Sequence, residues 1–314
     1  MRHFILGRLG GTAATLFVSS LIVFFLVRLI PGDPIGVLLE RNYSPELAAS
    51  LRRLYGLDRP IHEQYIVWVG AMLSGDFGFS LITQTPVAGL LLERIPRTLY
   101  LMLGGVAIGL LIAIPAGIIA AANRRKWPDS WVVALTTAFM SIPSFWLGIL
   151  LIILFAVTLR WLPAAGYVDP TRDLIGSLRS MVLPWLTLGL VMSAFITRVL
   201  RSSLLDVLGQ DYIRTAQSRG LRDRAVIRRH ALRNAAIPAV TVIGLEIGYL
   251  MGGAIVVEKV FAFPGMGQLI VNGITSRDYP LIQISILFFA FAFIIINMLT
   301  DVVYAQLDPR IKYG

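Results

Sequence analysis

The chain has no cysteine among its 314 residues, so disulfides, thiolate metal sites and cysteine nucleophiles are excluded. Histidine is nearly as scarce: His3, His62 and His230 are scattered along the chain, too far apart to compose a metal site. The three lysines, Lys126, Lys259 and Lys312, follow Arg125, Glu258 and Ile311. None stands directly after the glycine that a phosphate-binding P-loop requires, so ATP is not held through that motif. The run His62-Glu63-Gln64-Tyr65-Ile66 begins like a zinc-protease helix but lacks the second histidine four residues on. No Gly-x-Ser-x-Gly occurs either, and a membrane enzyme is disfavoured accordingly. Charge is also thin, at 15% of residues against 56% apolar, and a chain of that composition is not an ordinary soluble domain.

What is present falls into long apolar blocks. A hydrocarbon core of about 30 Å takes roughly 20 apolar residues in a helix. Blocks of that kind lie at 9–30, 98–122, 130–159, 181–197, 235–257 and 281–300, the fourth being the shortest. The first is longer than a signal-peptide core and is followed by Pro-Gly-Asp-Pro, which is not a small-x-small cleavage site, so it reads as an uncleaved span. The predicted fold class is all-α: a polytopic membrane protein with six transmembrane helices, an outer helical loop at 31–97 and a short cytoplasmic helix in the 201–234 loop, all within one transmembrane domain covering 1–314.

The net charge of +10 would suit a nucleic-acid binder, but interleaved apolar spans make topology the better explanation, and no nucleic-acid partner is expected. With the N-terminus inside, the inner segments hold sixteen basic and five acidic residues and the outer ones twelve and eleven. Both termini are therefore predicted to be cytoplasmic.

The outer loop is too long for a connector. Ser44-Pro45-Glu46 reads as a helix start, with serine at the N-cap and proline in the first turn, and Leu47, Leu51 and Leu54 form an apolar stripe ending at Gly56. A second helix is predicted over 60–74, carrying Ile61, Tyr65, Trp68 and Met72. Packing against the spans is the expected use of both stripes, with an external partner the alternative.

The spans are interrupted. Pro115 and Pro143 each remove a backbone donor and are expected to bend the second and third spans. Gly244, Gly248 and Gly252 recur every fourth residue in the fifth span, leaving one face without side chains for a close helix neighbour or a pathway wall. Glu246 is the one carboxylate in the middle of a span. It points roughly 200° away from Gly244 and is expected to be a hydrogen-bonded structural residue, the alternative being a substrate or proton site. The loop Glu258-Lys-Val-Phe-Ala-Phe-Pro-Gly-Met-Gly267, with the short apolar segment after it, is expected to dip back into the protein.

About thirty-five residues separate the fourth and fifth spans. Asp211-Tyr-Ile-Arg-Thr-Ala-Gln-Ser-Arg-Gly220 reads as a short helix: Asp211 caps the first turn, Tyr212 and Ala216 share a face, and Gly220 supplies a left-handed residue at the end. A second helical run is expected from Asp223, through Val226, Ile227, His230 and Leu232. A basic inner loop needs charge but no such order, so the short helix reads as a docking element.

Arg214-Thr-Ala-Gln-Ser-Arg-Gly220 followed by Arg229-His-Ala-Leu-Arg-Asn-Ala-Ala-Ile-Pro238 resembles the Glu-Ala-Ala loop of binding-protein-dependent ABC importer permeases, in the form found in the dipeptide, oligopeptide, glutathione and nickel group. Leu29-Ile-Pro-Gly-Asp-Pro34, Tyr55-Gly-Leu-Asp-Arg-Pro60, Gly75-Asp-Phe-Gly-Phe-Ser80, Val256-Val-Glu-Lys-Val-Phe261 with Phe263-Pro-Gly265, Arg277-Asp-Tyr-Pro280 and Leu307-Asp-Pro-Arg310 resemble that group as well, in order along the whole chain. The loop's glutamate position is Arg214 here and its first alanine Thr215, so a salt bridge through that glutamate is not available.

The resemblance implies a permease that pairs with a second homologous permease, two ATP-binding ATPase subunits and an extracytoplasmic substrate-binding protein in the bacterial inner membrane. ATP and magnesium would sit on the ATPase, with no cofactor and no metal in this chain. It implies ATPase coupling through Asp211, Tyr212, Arg214, Thr215, Ala216, Arg219, Gly220 and Leu221, and a pathway or packing role for Gly244, Glu246, Gly248 and Gly252. Di- or oligopeptides are the expected substrate, with nickel, glutathione and opines as alternatives. A proton-coupled secondary transporter using Glu246 is the rival class; such folds commonly carry inverted repeats, and none is visible.

Overall fold

The computed structural model describes residues 2–29, 35–36, 39, 44–222 and 225–307, with backbone only at 2–9, 217, 228 and 301–307. Residues 30–34 of the Pro-Gly-Asp-Pro stretch, the expected helix start at Asp223 and the Asp-Pro-Arg of 308–310 lie outside the described residues. Among the described residues the architecture is helical, without a strand; one isolated bridge pairs Phe79 with Pro86.

The helices are α1 (Arg2–Leu29), α2 (Pro45–Leu54), α3 (Ile61–Leu73), α4 (Val87–Ala122), α5 (Trp127–Ser141), α6 (Ser144–Leu151), α7 (Leu174–Leu208), α8 (Asp211–Ser218), α9 (Leu232–Val260), α10 (Met266–Ser276) and α11 (Tyr279–Leu307). Wider π turns extend α6 over Ile152–Thr158 and lead into α9 over Val226–Ala231. Among the described residues five helices are long and apolar enough to cross a membrane, and a sixth crossing is formed if α5 and α6 count as one span. These two meet at 108°. Pro143 is responsible: Ile142 before it is forced to extended backbone (φ −89°, ψ 124°), as residues preceding proline are. Pro115 has a smaller effect, since α4 continues through it.

The chain divides into two compact units. The first comprises Met1–Thr98 and Pro264–Ala292. Here α2 starts as expected at Pro45, with extended Ser44 before it, although the Ser44 hydroxyl donates to Glu46 Oε2 (2.8 Å) and leaves the helix amides uncapped. Helix α3 is held to α1 by aromatic packing: the buried Phe24 ring lies 5.2 Å from Tyr65, edge-on, and 5.5 Å from Trp68. The Ser20 and Tyr65 hydroxyls are hydrogen-bonded at 2.8 Å, and Trp68 and Met72 close over Val23, Val27, Ile282 and Leu287. Tyr65, Trp68 and Met72 of the α3 stripe therefore pack on the spans, while Ile61 is exposed.

Two of the motif stretches also meet in this unit. The Asp278 carboxylate accepts from the Ser80 hydroxyl and from the amide nitrogens of Leu81 (3.1 Å) and Leu281 (3.4 Å). That network is buried, where losing one partner is costly. A second tie runs from the Met266 amide to Thr98 Oγ1, at 2.8 Å. Met266, Gly267, Ile270 and Gly273 of α10 are buried, so this segment does fold back into the protein.

The second unit comprises Leu99–Phe263 and Phe293–Gly314, with α7 at its centre, packed on α9, α5 and α6. The predicted span at 181–197 is really a helix of 35 residues. Asp173 caps it by accepting from the Gly176 amide at 2.9 Å, and Ser180, Thr187 and Ser193 return their hydroxyl hydrogens to carbonyls three or four residues back. Self-satisfied hydroxyls can be buried in a span at little cost. Gly105 and Gly109 of α4 admit Leu188 and Met192: a Cβ added there would lie 2.9 Å and 3.2 Å from them.

Candidate functional site

The segment between α7 and α9 is built around one apolar cluster. Ala121, Leu200, Leu204, Val226, Ala231, Ala235 and Ala239 are buried together, and Ile213 of α8 is inserted among them with no exposed surface. Helix α8 is only eight residues long, too short to hold its shape in water unaided, so this insertion is what fixes it. The Gln210 carbonyl accepts from the Ile213 and Arg214 amides (3.1 and 3.3 Å), and Thr215 returns its hydroxyl to the Asp211 carbonyl (3.0 Å).

Asp211 lies inside the first turn rather than capping it. There its charge suits the helix dipole, while its 3.6 Å ion pair with Arg214 joins two strongly exposed side chains and contributes little to stability. Gly220 has φ +79°, the left-handed conformation expected of it, with open space around its Cα.

The expected Tyr212/Ala216 face divides in two. Ala216 packs against the apolar cluster, whereas Tyr212 is 44% exposed and its hydroxyl accepts from Asn234 Nδ2 (2.8 Å) in the first turn of α9. The outward face consists of Asp211, Tyr212, Arg214 and Thr215, continued by exposed Arg219, Gly220 and Leu221. Reading the loop for its outward residues overlooked the inward anchor. Ile213 and Ala216, three apart on a helix next to two span ends, were the available signal.

A second group missed in the sequence stands where α5 begins. Asp129, counted there only as an inner charge, is buried. Its carboxylate takes a two-pronged contact from Arg201 of α7, with Nε at 2.5 Å from Oδ1 and Nη2 at 2.8 Å from Oδ2, and accepts from the Arg125 amide at 3.0 Å. Paired hydrogen bonds of this type fix geometry as well as energy. The bridge ties the start of α5 to the last turns of α7, the helix that leads directly into α8.

In α9 the glycine face is a packing face. A Cβ on Gly244 would collide with the Thr300 side chain, and one on Gly248 would come within 2.7 Å of the Phe293 ring, both from α11. Gly252 has no such neighbour and is exposed. Glu246 departs from expectation: it is half-buried and makes no hydrogen bond or ion pair among the described residues. It is shielded from water on part of its surface without a partner among the described residues. No group of three histidine, aspartate or glutamate side chains comes together among the described residues, so no set offers itself as metal ligands.

A family model described as "Binding-protein-dependent transport system inner membrane component" matches residues 113–313. Its N-terminal companion, "Binding-prot-dependent transport system membrane comp, N-term", matches residues 1–102. The glutathione transport system permease protein GsiC of Escherichia coli (strain K12) is 40% identical over 313 residues, covering 100% of both chains. The protein of the same name from Shigella dysenteriae serotype 1 (strain Sd197) is equally similar. Among solved structures, a chain of the MetNI methionine ABC transporter in an inward-facing conformation superposes with a TM-score of 0.59 at 20% identity, covering 70% of this chain and 97% of that one. A chain of an amino acid ABC transporter with histidines gives 0.52 at 14% identity, covering 70% and 94%.

Proposed function

The chain belongs to the family of binding-protein-dependent transport system inner membrane components, and we propose that within it this chain forms, with a second homologous permease, the membrane pathway for small peptides. Membership makes it a permease subunit of an ABC importer, a multi-pass inner-membrane protein and not an enzyme. ATP and magnesium belong to two separate ATPase subunits, since the chain lacks a P-loop lysine, and an extracytoplasmic binding protein delivers the substrate. Both termini are cytoplasmic on the charge asymmetry of the loops, and the basic excess is spent on that orientation, with no nucleic-acid partner.

The observation that carries the coupling assignment is the two-sided character of α8. Ile213 is sunk in the cluster at the ends of α7 and α9 while Tyr212, Arg214 and Thr215 face outward. A rigid element anchored in this way passes a push from a docked ATPase to two spans as body motion. Asp211, Ala216, Arg219, Gly220 and Leu221 complete the element. Gly244 and Gly248 fix the pair α9 and α11, which leaves Gly252, with Glu246, for the pathway or the second permease.

Within the peptide class, glutathione is the first substrate to test, because the full-length relatives at 40% identity carry that name. Nickel and opines are secondary. Co-purification in detergent with mass spectrometry tests the assembly: a P-loop ATPase and a second permease are expected. Uptake of labelled glutathione against a labelled dipeptide, in cells lacking their own importers, tests the cargo. A chain that moves solute in vesicles without ATP would refute the proposal.

A further inference from the structure

The first unit contains a polar pocket that the coupling role does not use. It has a volume of about 290 Å3 and lies where the end of α1, the turn after α2, the helix α3 and the start of α11 come together. Its polar side chains are Arg28, Tyr55, Arg59, Gln64, Tyr279 and Gln283, two of them cationic. The half-buried Arg28 spends two N–H groups, on the Phe24 carbonyl (3.0 Å) and on Gln64 Oε1 (2.7 Å), with its guanidinium 3.4 Å from the Phe24 ring centre. Three of its five donors are left. Gln64 Oε1 accepts from Arg28, and its own nitrogen donates to the Leu57 and Arg59 carbonyls.

Arg59 lines the pocket with an exposed guanidinium that has no partner among the described residues. The Tyr55 hydroxyl accepts from Gln84, which leaves its own hydrogen to give. Gln283 is only 4% exposed, belongs to the same wall, and its Nε2 is buried without a partner. A native protein rarely leaves such a donor unmatched. Among the described residues, none that lines the pocket is acidic, and the rest of the wall, including Trp68, Val67 and Leu57, is apolar.

We propose that this pocket binds an oxyanion, a phosphate or carboxylate group, through Arg28, Arg59 and the Gln283 amide, with its organic part against the apolar wall. The acceptor oxygens supply what the buried Gln283 nitrogen and the two guanidinium groups lack, and they are held by charge-assisted bonds. On the orientation proposed above the site opens at the outer end of α1, where the oxyanion comes either from a phospholipid headgroup or from a soluble solute.

The test uses the full chain, delipidated in a neutral detergent, and reads its thermal unfolding midpoint during titration with inorganic phosphate, against chloride at matched ionic strength. A saturable rise with phosphate alone is expected. Arg59→Gln should weaken the apparent Kd about tenfold. Gln283→Leu should weaken it similarly while leaving the unliganded midpoint unchanged or higher, because it removes an unmatched buried amide; a merely structural glutamine would do the opposite. A repeat with short-chain phosphatidic acid identifies the source: much tighter binding than phosphate assigns a lipid headgroup, equal binding a soluble oxyanion. Absence of a saturable shift with either probe, or identical titrations in wild type and both variants, overturns the proposal.

Discussion

Replacing Ile213 by alanine tests whether α8 is rigid because it is anchored. Ile213 has no exposed surface and is surrounded by Leu200, Leu204, Val226 and Ala235, so truncation removes three carbon atoms from a closed apolar environment. At about 0.8 kcal/mol per buried methylene, with a cavity contribution on top, the loss is roughly 2–4 kcal/mol. An eight-residue helix has almost no intrinsic stability to offset that. Its opening equilibrium should therefore rise by a factor on the order of 10². Hydrogen exchange of the purified full-length chain, read on peptides spanning 205–221, measures this without any partner. Ile213→Ala should exchange faster there, Ile213→Val only slightly, and helix α3, in the other unit, not at all. Protection of α8 unchanged by the alanine would refute the anchor and, with it, the mechanical argument for coupling.

Four further perturbations separate the remaining roles. Asp129→Asn keeps the shape but removes the charge facing Arg201, and should lower the stability of the chain by about 1.5–3 kcal/mol, measured as a drop in the unfolding midpoint; Arg201→Lys, which cannot make the paired contact, should lose part of it. Gly248→Leu forces a side chain into the Phe293 ring and should cost at least about 1–3 kcal/mol, whereas Gly252→Leu, with open space around it, should leave the isolated chain stable and reveal any defect only in assembly with a second permease. Glu246→Gln removes no partner and should change the unfolding midpoint little, by about 0.5 kcal/mol or less; a large drop would restore the structural reading. Tyr212→Asp should leave the protein inserted yet separate ATP hydrolysis from uptake, and normal coupled uptake in that variant would contradict the docking assignment.

The parts of the molecule that were legible in advance are those where a local rule acts alone. The apolar blocks located the spans, since burying twenty residues of backbone in lipid leaves helix as the available solution. Pro143 located the break between α5 and α6 because the steric limit on Ile142 is local. Ser44-Pro45 and Gly220 placed the ends of α2 and α8 for the same reason. Where a partner distant in sequence decides, the residue alone was ambiguous. Asp129 and Arg201 look like topology charges until a separation of 72 residues is closed. Leu174 to Ser180 looks too polar for a span until the Ser180 hydroxyl is seen to bond its own helix and that of Ser177 to meet Tyr100 of α4.

The same distinction explains α8. Its terminal glycine, its length and its exposed tyrosine are visible in ten residues, but which of its faces is the anchor depends on Leu200, Leu204 and Val226, supplied by the helix before it and the turn after it. Ile213, the most buried residue of α8, is thus the one whose role the local pattern conveys least. Glu246 is the converse case. A midspan carboxylate ought to have a partner on energetic grounds, and its lack of one among the described residues means that its cost is not recovered within this chain. If a second permease or a passing substrate recovers it, Glu246→Gln will be silent in the stability of the isolated chain and will alter uptake by the assembled transporter, an asymmetry that a purely structural residue cannot produce.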